Sequence, residues 1–97
     1  MNLDNFHKAF ENKVRLGIMS VLMVNDAVSF NQLKELLELT DGNLASHLKA
    51  LEKFKFIEVK KEFIDRKPNT TYLSTRAGKT AFEEHLAALE KLIKEHL

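Results

Sequence analysis

Residues 39–61 read LTDGNLASHLKALEKFKFIEVKK, and the change of period inside this stretch decides the fold. Leu44, Leu48 and Leu51 recur at i, i+4 and i+7, the apolar stripe of a helix, and Thr40 stands where an N-cap belongs. From Phe56 the period becomes two. Ile57, Val59 and Lys61 alternate with Phe56, Glu58 and Lys60, as in a half-buried strand. The first turn of the helix is unusual, because Gly42 and Asn43 are both poor helix formers. A merely solvated face would favour Glu, Lys, Gln or Arg. The outward positions here are Gly42, Asn43, Ala45 and Ser46, short and nearly uncharged. They leave the free N–H groups and positive dipole end of the helix open to close approach by something polar.

On the N-terminal side, Leu3, Phe6, His7 and Phe10 share one helical stripe, which predicts a short amphipathic helix over residues 4–11. Asn12 caps a second helix that buries Leu16, Ile18, Met19 and Leu22 and ends at the turn pair Asn25-Asp26. Val28-Ser29-Phe30 reads as an extended stub. Asn31 then caps a helix over residues 32–39, with Leu33, Leu36 and Leu37 pointing inward. On the C-terminal side, residues 64–69 form a polar turn holding the single proline, and residues 70–73 are the returning strand. Thr75 caps a last helix with Phe82, Leu86, Leu89 and Ile93 on one stripe. The expected fold is mainly α with a small β-hairpin, in one domain spanning residues 1–97.

Composition narrows the function. The chain has 97 residues and a formal net charge of +1, which excludes a strongly basic, histone-like binder. What basic excess exists falls in the middle of the chain: residues 41–75 carry seven Lys/Arg against five Asp/Glu. The absence of cysteine excludes disulfides and thiolate metal sites and fits a reducing compartment. The N-terminus lacks the apolar core of a signal peptide, and the longest apolar run, residues 18–24, is too short to span a bilayer. The expected location is the cytoplasm, with no membrane partner.

Two helices joined by a tight turn and followed by a hairpin with a basic tip is the layout of a winged helix-turn-helix. The residues carry the resemblance further. Val14-Arg15-Leu16-Gly17-Ile18-Met19-Ser20-Val21-Leu22 looks like the first core helix of that family. Leu39-Thr40-Asp41-Gly42-Asn43-Leu44-Ala45-Ser46-His47-Leu48-Lys49-Ala50-Leu51-Glu52 is similar to its recognition helix. Arg66-Lys67-Pro68-Asn69-Thr70-Thr71-Tyr72 resembles the wing, and Thr75-Arg76-Ala77-Gly78 the start of the last helix. Over residues 13–93 the chain is similar to small winged helix-turn-helix transcriptional regulators, in particular minimal one-domain members of the MarR/ArsR-like group. Three departures stand out. Phe54-Lys55-Phe56 occupies the place of Ala-Gly-aromatic, so the C-cap glycine is missing. Asn69 replaces a residue that is often basic. Ser74 stands where leucine is common, with Leu73 expected to take over its packing.

The resemblance implies a helix-turn-helix over residues 31–54, a wing over 56–74, and sequence-specific binding of double-stranded DNA by a transcriptional repressor. It assigns DNA contact by the recognition helix to Thr40, Gly42, Asn43, Ala45, Ser46, His47, Lys49 and Lys53, with Lys49 and Lys53 on the phosphate backbone, and the wing contacts to Arg66, Lys67, Asn69 and Thr70. The chemistry agrees, since Asn pairs bidentately with adenine and Ser reaches base or phosphate. Arg66, beside Lys67 and stiffened by Pro68, suits a narrow minor groove. Asp41 is either a helix-stabilising residue or an acceptor from cytosine. His47 is expected half-buried, touching phosphate at its edge. A homodimer is expected through residues 1–11 and 75–97, using Leu3, Phe6, Phe10, Phe82, Leu86, Leu89 and Ile93. The alternative is a winged-helix protein–protein interaction scaffold without DNA binding, which the near-neutral charge keeps open. His85 and His96 share a helix face beside Glu84 and Glu95 and read as ordinary exposed histidines. No metal or cofactor is therefore expected, and no catalytic set stands at a telling spacing. Nothing in the residues identifies a small-molecule effector.

Overall fold

A computed structural model describes residues 3–96. Helix α1 (Lys13–Met23) starts at Asn12, whose side chain accepts from the Val14 and Arg15 N–H groups at 2.8 and 3.3 Å. It ends as expected, with the Asn25 amide donating to the Val21 carbonyl. Strand β1 (Val28–Ser29) leads directly into α2 (Phe30–Leu37). Ser29, not Asn31, is the cap, because it closes a reciprocal box with Gln32 that starts the helix two residues earlier than expected. Leu33 is buried and Leu37 packs on the core, but Leu36 is 64 % exposed, against expectation.

Helix α3 (Asp41–Lys53) buries Leu44, Leu48 and Leu51 as its period requires. Without a glycine it still closes a Schellman turn. The Phe56 N–H bonds to the Leu51 carbonyl and the Lys55 N–H to that of Glu52, with Lys55 left-handed at φ 64°. Strands β2 (Ile57–Ile64) and β3 (Lys67–Ser74) form the hairpin, and β3 lies between β1 and β2 in an antiparallel sheet. Phe56 precedes the strand. The turn is two residues, Asp65-Arg66, not the six expected. Both have positive φ, the type I′ signature whose twist matches a long hairpin. Pro68 is thus a strand residue, tolerated because β1 pairs only with Thr71 and Tyr72. Ser74, not Leu73, turns into the core, where its hydroxyl meets the Leu22 carbonyl at 3.4 Å.

Helix α4 (Arg76–Glu95) starts at Thr75, which accepts from the Gly78 N–H and donates to the Lys55 carbonyl. Its first turn lies directly on the α3–β2 corner. A Cβ at Gly78 would sit inside the van der Waals surface of the Phe56 carbonyl oxygen. The N-terminal segment is not the helix expected over residues 4–11. It is a hydrogen-bonded turn closed by the Phe6 N–H on the Leu3 carbonyl, followed by one 3₁₀ turn, Lys8–Phe10, capped by His7. Phe10 packs edge-on against Phe82 and stacks on Phe56, so long-range aromatic contact replaces local helix formation. His85 is buried beneath Phe6 and Phe10, not exposed as expected. Among the described residues no helix is long and apolar enough to cross a membrane.

Candidate nucleic-acid interface

The polar start of α3 is held open by its surroundings. The Thr40 hydroxyl accepts from the Asn43 N–H at 3.2 Å, and Asp41, Gly42, Asn43 and Ser46 are exposed. A Cβ built on Gly42 meets nothing within 4 Å, so this turn offers bare backbone to solvent. Among the described residues the Asn43 amide and the Ser46 hydroxyl make no hydrogen bond, which leaves both available to a ligand. Ala45 is half-buried, and Lys49 and Lys53 are exposed further along. Asp41 forms a 2.8 Å ion pair with Lys34 of α2, so its charge is balanced from across the helix-turn-helix.

His47 is half-buried, with Nδ1 3.3 Å from the Arg15 guanidinium, whose Nε donates to the Ala9 carbonyl at 2.7 Å. Burial, and then the Arg15 charge, lower the His47 pKa below its ordinary value of 6.5. The imidazole is neutral at pH 7. With Nδ1 accepting from Arg15, its proton sits on Nε2, which can then donate to a phosphate oxygen.

In the wing, Arg66 and Lys67 are exposed, while Asn69 and Thr70 are half-buried strand residues. Thr70 pairs with Lys61, so the two share one face. That face borders a polar cleft of about 410 Å³ running from the hairpin to Ser29 and Asn31 at the start of α2. The start of α2 and the wing therefore stand on either side of an open cleft. Residues missed by the sequence reasoning are Arg15, Lys34, Lys60 and Lys61, together with the apolar tip residues Phe63 and Ile64. The Lys60-Lys61 pair was open to detection, since a hairpin register places it against Thr70 and Thr71. Arg15 gives no local signal, being a helix residue that acquires its role from His47, 32 positions away.

The residues expected at a dimer interface divide. Phe10 and Phe82 are buried in the protomer's own core, and Phe6 packs on His85. Leu3, Leu86, Leu89 and Ile93 remain exposed.

A three-helix core with a recognition helix, followed by a hairpin wing, defines a winged helix-turn-helix. The chain belongs to the winged helix DNA-binding domain family, whose model matches residues 14–93. It is similar to an uncharacterized protein of Methanocaldococcus jannaschii, 40% identical over 87 residues that cover 90% of this chain and 95% of that one. A transcriptional regulator homologue from Pyrococcus horikoshii OT3 superposes with a TM-score of 0.84 at 34% identity, over 90% of this chain and 86% of its own. HlyU from Vibrio cholerae gives 0.67 at 30% identity, over 88% and 84%.

Proposed function

We propose that this protein is a sequence-specific, double-stranded-DNA-binding transcriptional regulator of the MarR/ArsR-like kind. It acts in the cytoplasm as a homodimeric repressor. The observation that carries this is the first turn of α3, where open backbone at Gly42 lies beside the unpartnered side chains of Asn43 and Ser46. The likeness to a transcriptional regulator homologue supports it. In this function the α3 N-terminus enters the major groove, and Asn43 and Ser46 read base edges. Lys49, Lys53 and His47 Nε2–H contact phosphates and set the register. Arg66 and Lys67 bring the wing to the adjacent minor groove. In the dimer, two such helices enter successive major grooves roughly 34 Å apart.

Fluorescence anisotropy tests this on a duplex enriched by the protein from a random pool and on a random duplex. Asn43→Ala is expected to cost about 1–3 kcal/mol on the enriched site and little on random DNA. Gly42→Glu is expected to abolish both, by setting a charge against phosphate where the backbone approaches. Wild-type behaviour in both variants would remove α3 from the interface. No salt-sensitive duplex binding by the wild type would favour the interaction-scaffold alternative.

A further inference from the structure

The tip of the wing carries apolar surface that groove-edge contacts leave unused. Phe63 is 77 % exposed and Ile64 is 53 % exposed, at the end of β2 farthest from the core. Pro68, also exposed, stands directly opposite Phe63 in the register. The two side chains leave the hairpin on one face, with Ile64 on the other. Phe63 shares its face with Lys61 and Ile57, the side that looks across the polar cleft toward the helix-turn-helix. In the complex proposed above the wing meets the minor groove, which brings the tip within reach of the base stack.

A solvated hairpin tip gains nothing from phenylalanine and isoleucine. An exposed apolar strand end instead invites aggregation unless a partner covers it. The neighbouring charges identify that partner. Lys60, Lys61, Arg66 and Lys67 outnumber Glu62 and Asp65, and of the four only Lys60 is paired among the described residues, at 3.8 Å from Glu62. An apolar wedge ringed by cations suits a polyanion with a stacked apolar interior.

We infer that the wing inserts Phe63, backed by Pro68, between base pairs from the minor groove and kinks the duplex, while Arg66 and Lys67 hold the flanking phosphates. Side chains of this type unstack a base step and bend DNA by about 20–90°. The wedge presupposes the DNA binding proposed above and adds to it a second source of sequence preference. Flexible TA and CA/TG steps yield to a wedge more easily than stiff A-tracts, so the wing selects deformable sequence without reading base edges.

Two duplexes with fluorophores at both ends test this at low salt, one with TA steps and 2-aminopurine beside them, one with A-tracts. Wild-type protein is expected to bind the TA duplex more tightly, raise end-to-end energy transfer and brighten the 2-aminopurine. Phe63→Ala is expected to bind the A-tract duplex like wild type yet lose all three effects, with a nearly unchanged melting temperature because the side chain is largely exposed and outside the core. Phe63→Leu is expected to restore part of the bend. Wild type that binds without changing energy transfer would overturn the wedge alone, as would Phe63→Ala bending the TA duplex fully. Equal loss of affinity on both duplexes would make Phe63 an undirected contact and also overturn it. A change in self-association without any effect on DNA would assign the tip to protein contact. If wild type binds neither duplex, the DNA-binding proposal itself fails, and the wedge with it.

Discussion

Among the described residues four non-glycines, Glu38, Lys55, Asp65 and Arg66, have φ between 50° and 67°, while none of the glycines has positive φ. Left-handed backbone costs a side-chain-bearing residue about 1–2 kcal/mol, and glycine avoids that cost while losing some chain entropy. Lys55 is exposed and closes α3, so Lys55→Gly is expected to stabilise by up to about 1 kcal/mol in urea denaturation. A loss would mean that the lysine stem contributes packing. The missing glycine was visible in the sequence, but that the backbone would keep the turn regardless was not. His85 shows the opposite difficulty. Nothing in EEHLAALE announces burial, which is created when the N-terminal segment lays Phe6 and Phe10 over the helix. Burial, reinforced by His7, holds the His85 pKa below 6.5, and its Nδ1 has no hydrogen-bond partner. The unfolded chain takes up this proton near pH 6.5 and the folded chain only at lower pH. Stability is therefore full above that value and falls as pH drops below it, with His47 acting in the same direction. His85→Phe is expected to flatten the fall in melting temperature between about pH 7.5 and 5. An unchanged slope would assign the acid sensitivity to His47.

Elements with a strong period and matching end signals were legible. For α3 the stripe Leu44, Leu48, Leu51 and the Thr40 cap agree, and for α4 Thr75 serves likewise. Where two signals compete, tertiary pairing decides. Ser29 and Asn31 are both good caps, and the choice falls to Ser29 because β1 holds it extended against Thr71. Leu36 fits the inward spacing of α2, yet of that helix's three leucines Leu33 and Leu37 meet the neighbouring core and Leu36 does not. The stripe of residues 3–10 suits a helix equally well, but the ring contacts of Phe10 require a path that a helix would not follow. The recognition helix was identified from local chemistry, whereas the extent of the wing was not, since Asp65-Arg66 is an improbable two-residue turn. At this scale the sharpest expectation concerns Gly78. Its missing Cβ admits the Phe56 carbonyl, so Gly78→Ala is expected to destabilise by about 3 kcal/mol, measured by thermal or urea unfolding. A neutral result would mean that α4 lifts from the corner at little cost.

The whole protomer measures 54 × 25 × 21 Å, drawn out by the projecting hairpin and α4. Its near-neutral charge is spread along its length: α4 balances Arg76, Lys79, Lys91 and Lys94 against Glu83, Glu84, Glu90 and Glu95, and the hairpin sets Lys60, Lys61, Arg66 and Lys67 against Glu58, Glu62 and Asp65. Dimerisation, as proposed, falls to Leu86, Leu89 and Ile93, which the protomer leaves uncovered. Leu89→Glu would bury a charge in an apolar seam at a cost of several kcal/mol per dimer. Sedimentation is expected to show monomer at micromolar concentration, and a persistent dimer would move the interface elsewhere. The contact at Gly78 takes on mechanical meaning in such an assembly. Helix α4 is joined to the end of α3 through Thr75, whose N–H donates to the Phe56 carbonyl at 3.0 Å and whose hydroxyl donates to that of Lys55 at 2.8 Å. The only side chain in the joint is the short Thr75, and at Gly78 the helix meets the Phe56 backbone directly, which leaves little to absorb a displacement. A 20-residue helix is about 30 Å long, so a tilt of about 10° at one end sweeps the other through about 5 Å. In the proposed dimer the fold would thus work as a stiff crank, the angle between the two long helices setting the gauge between the two α3 N-termini.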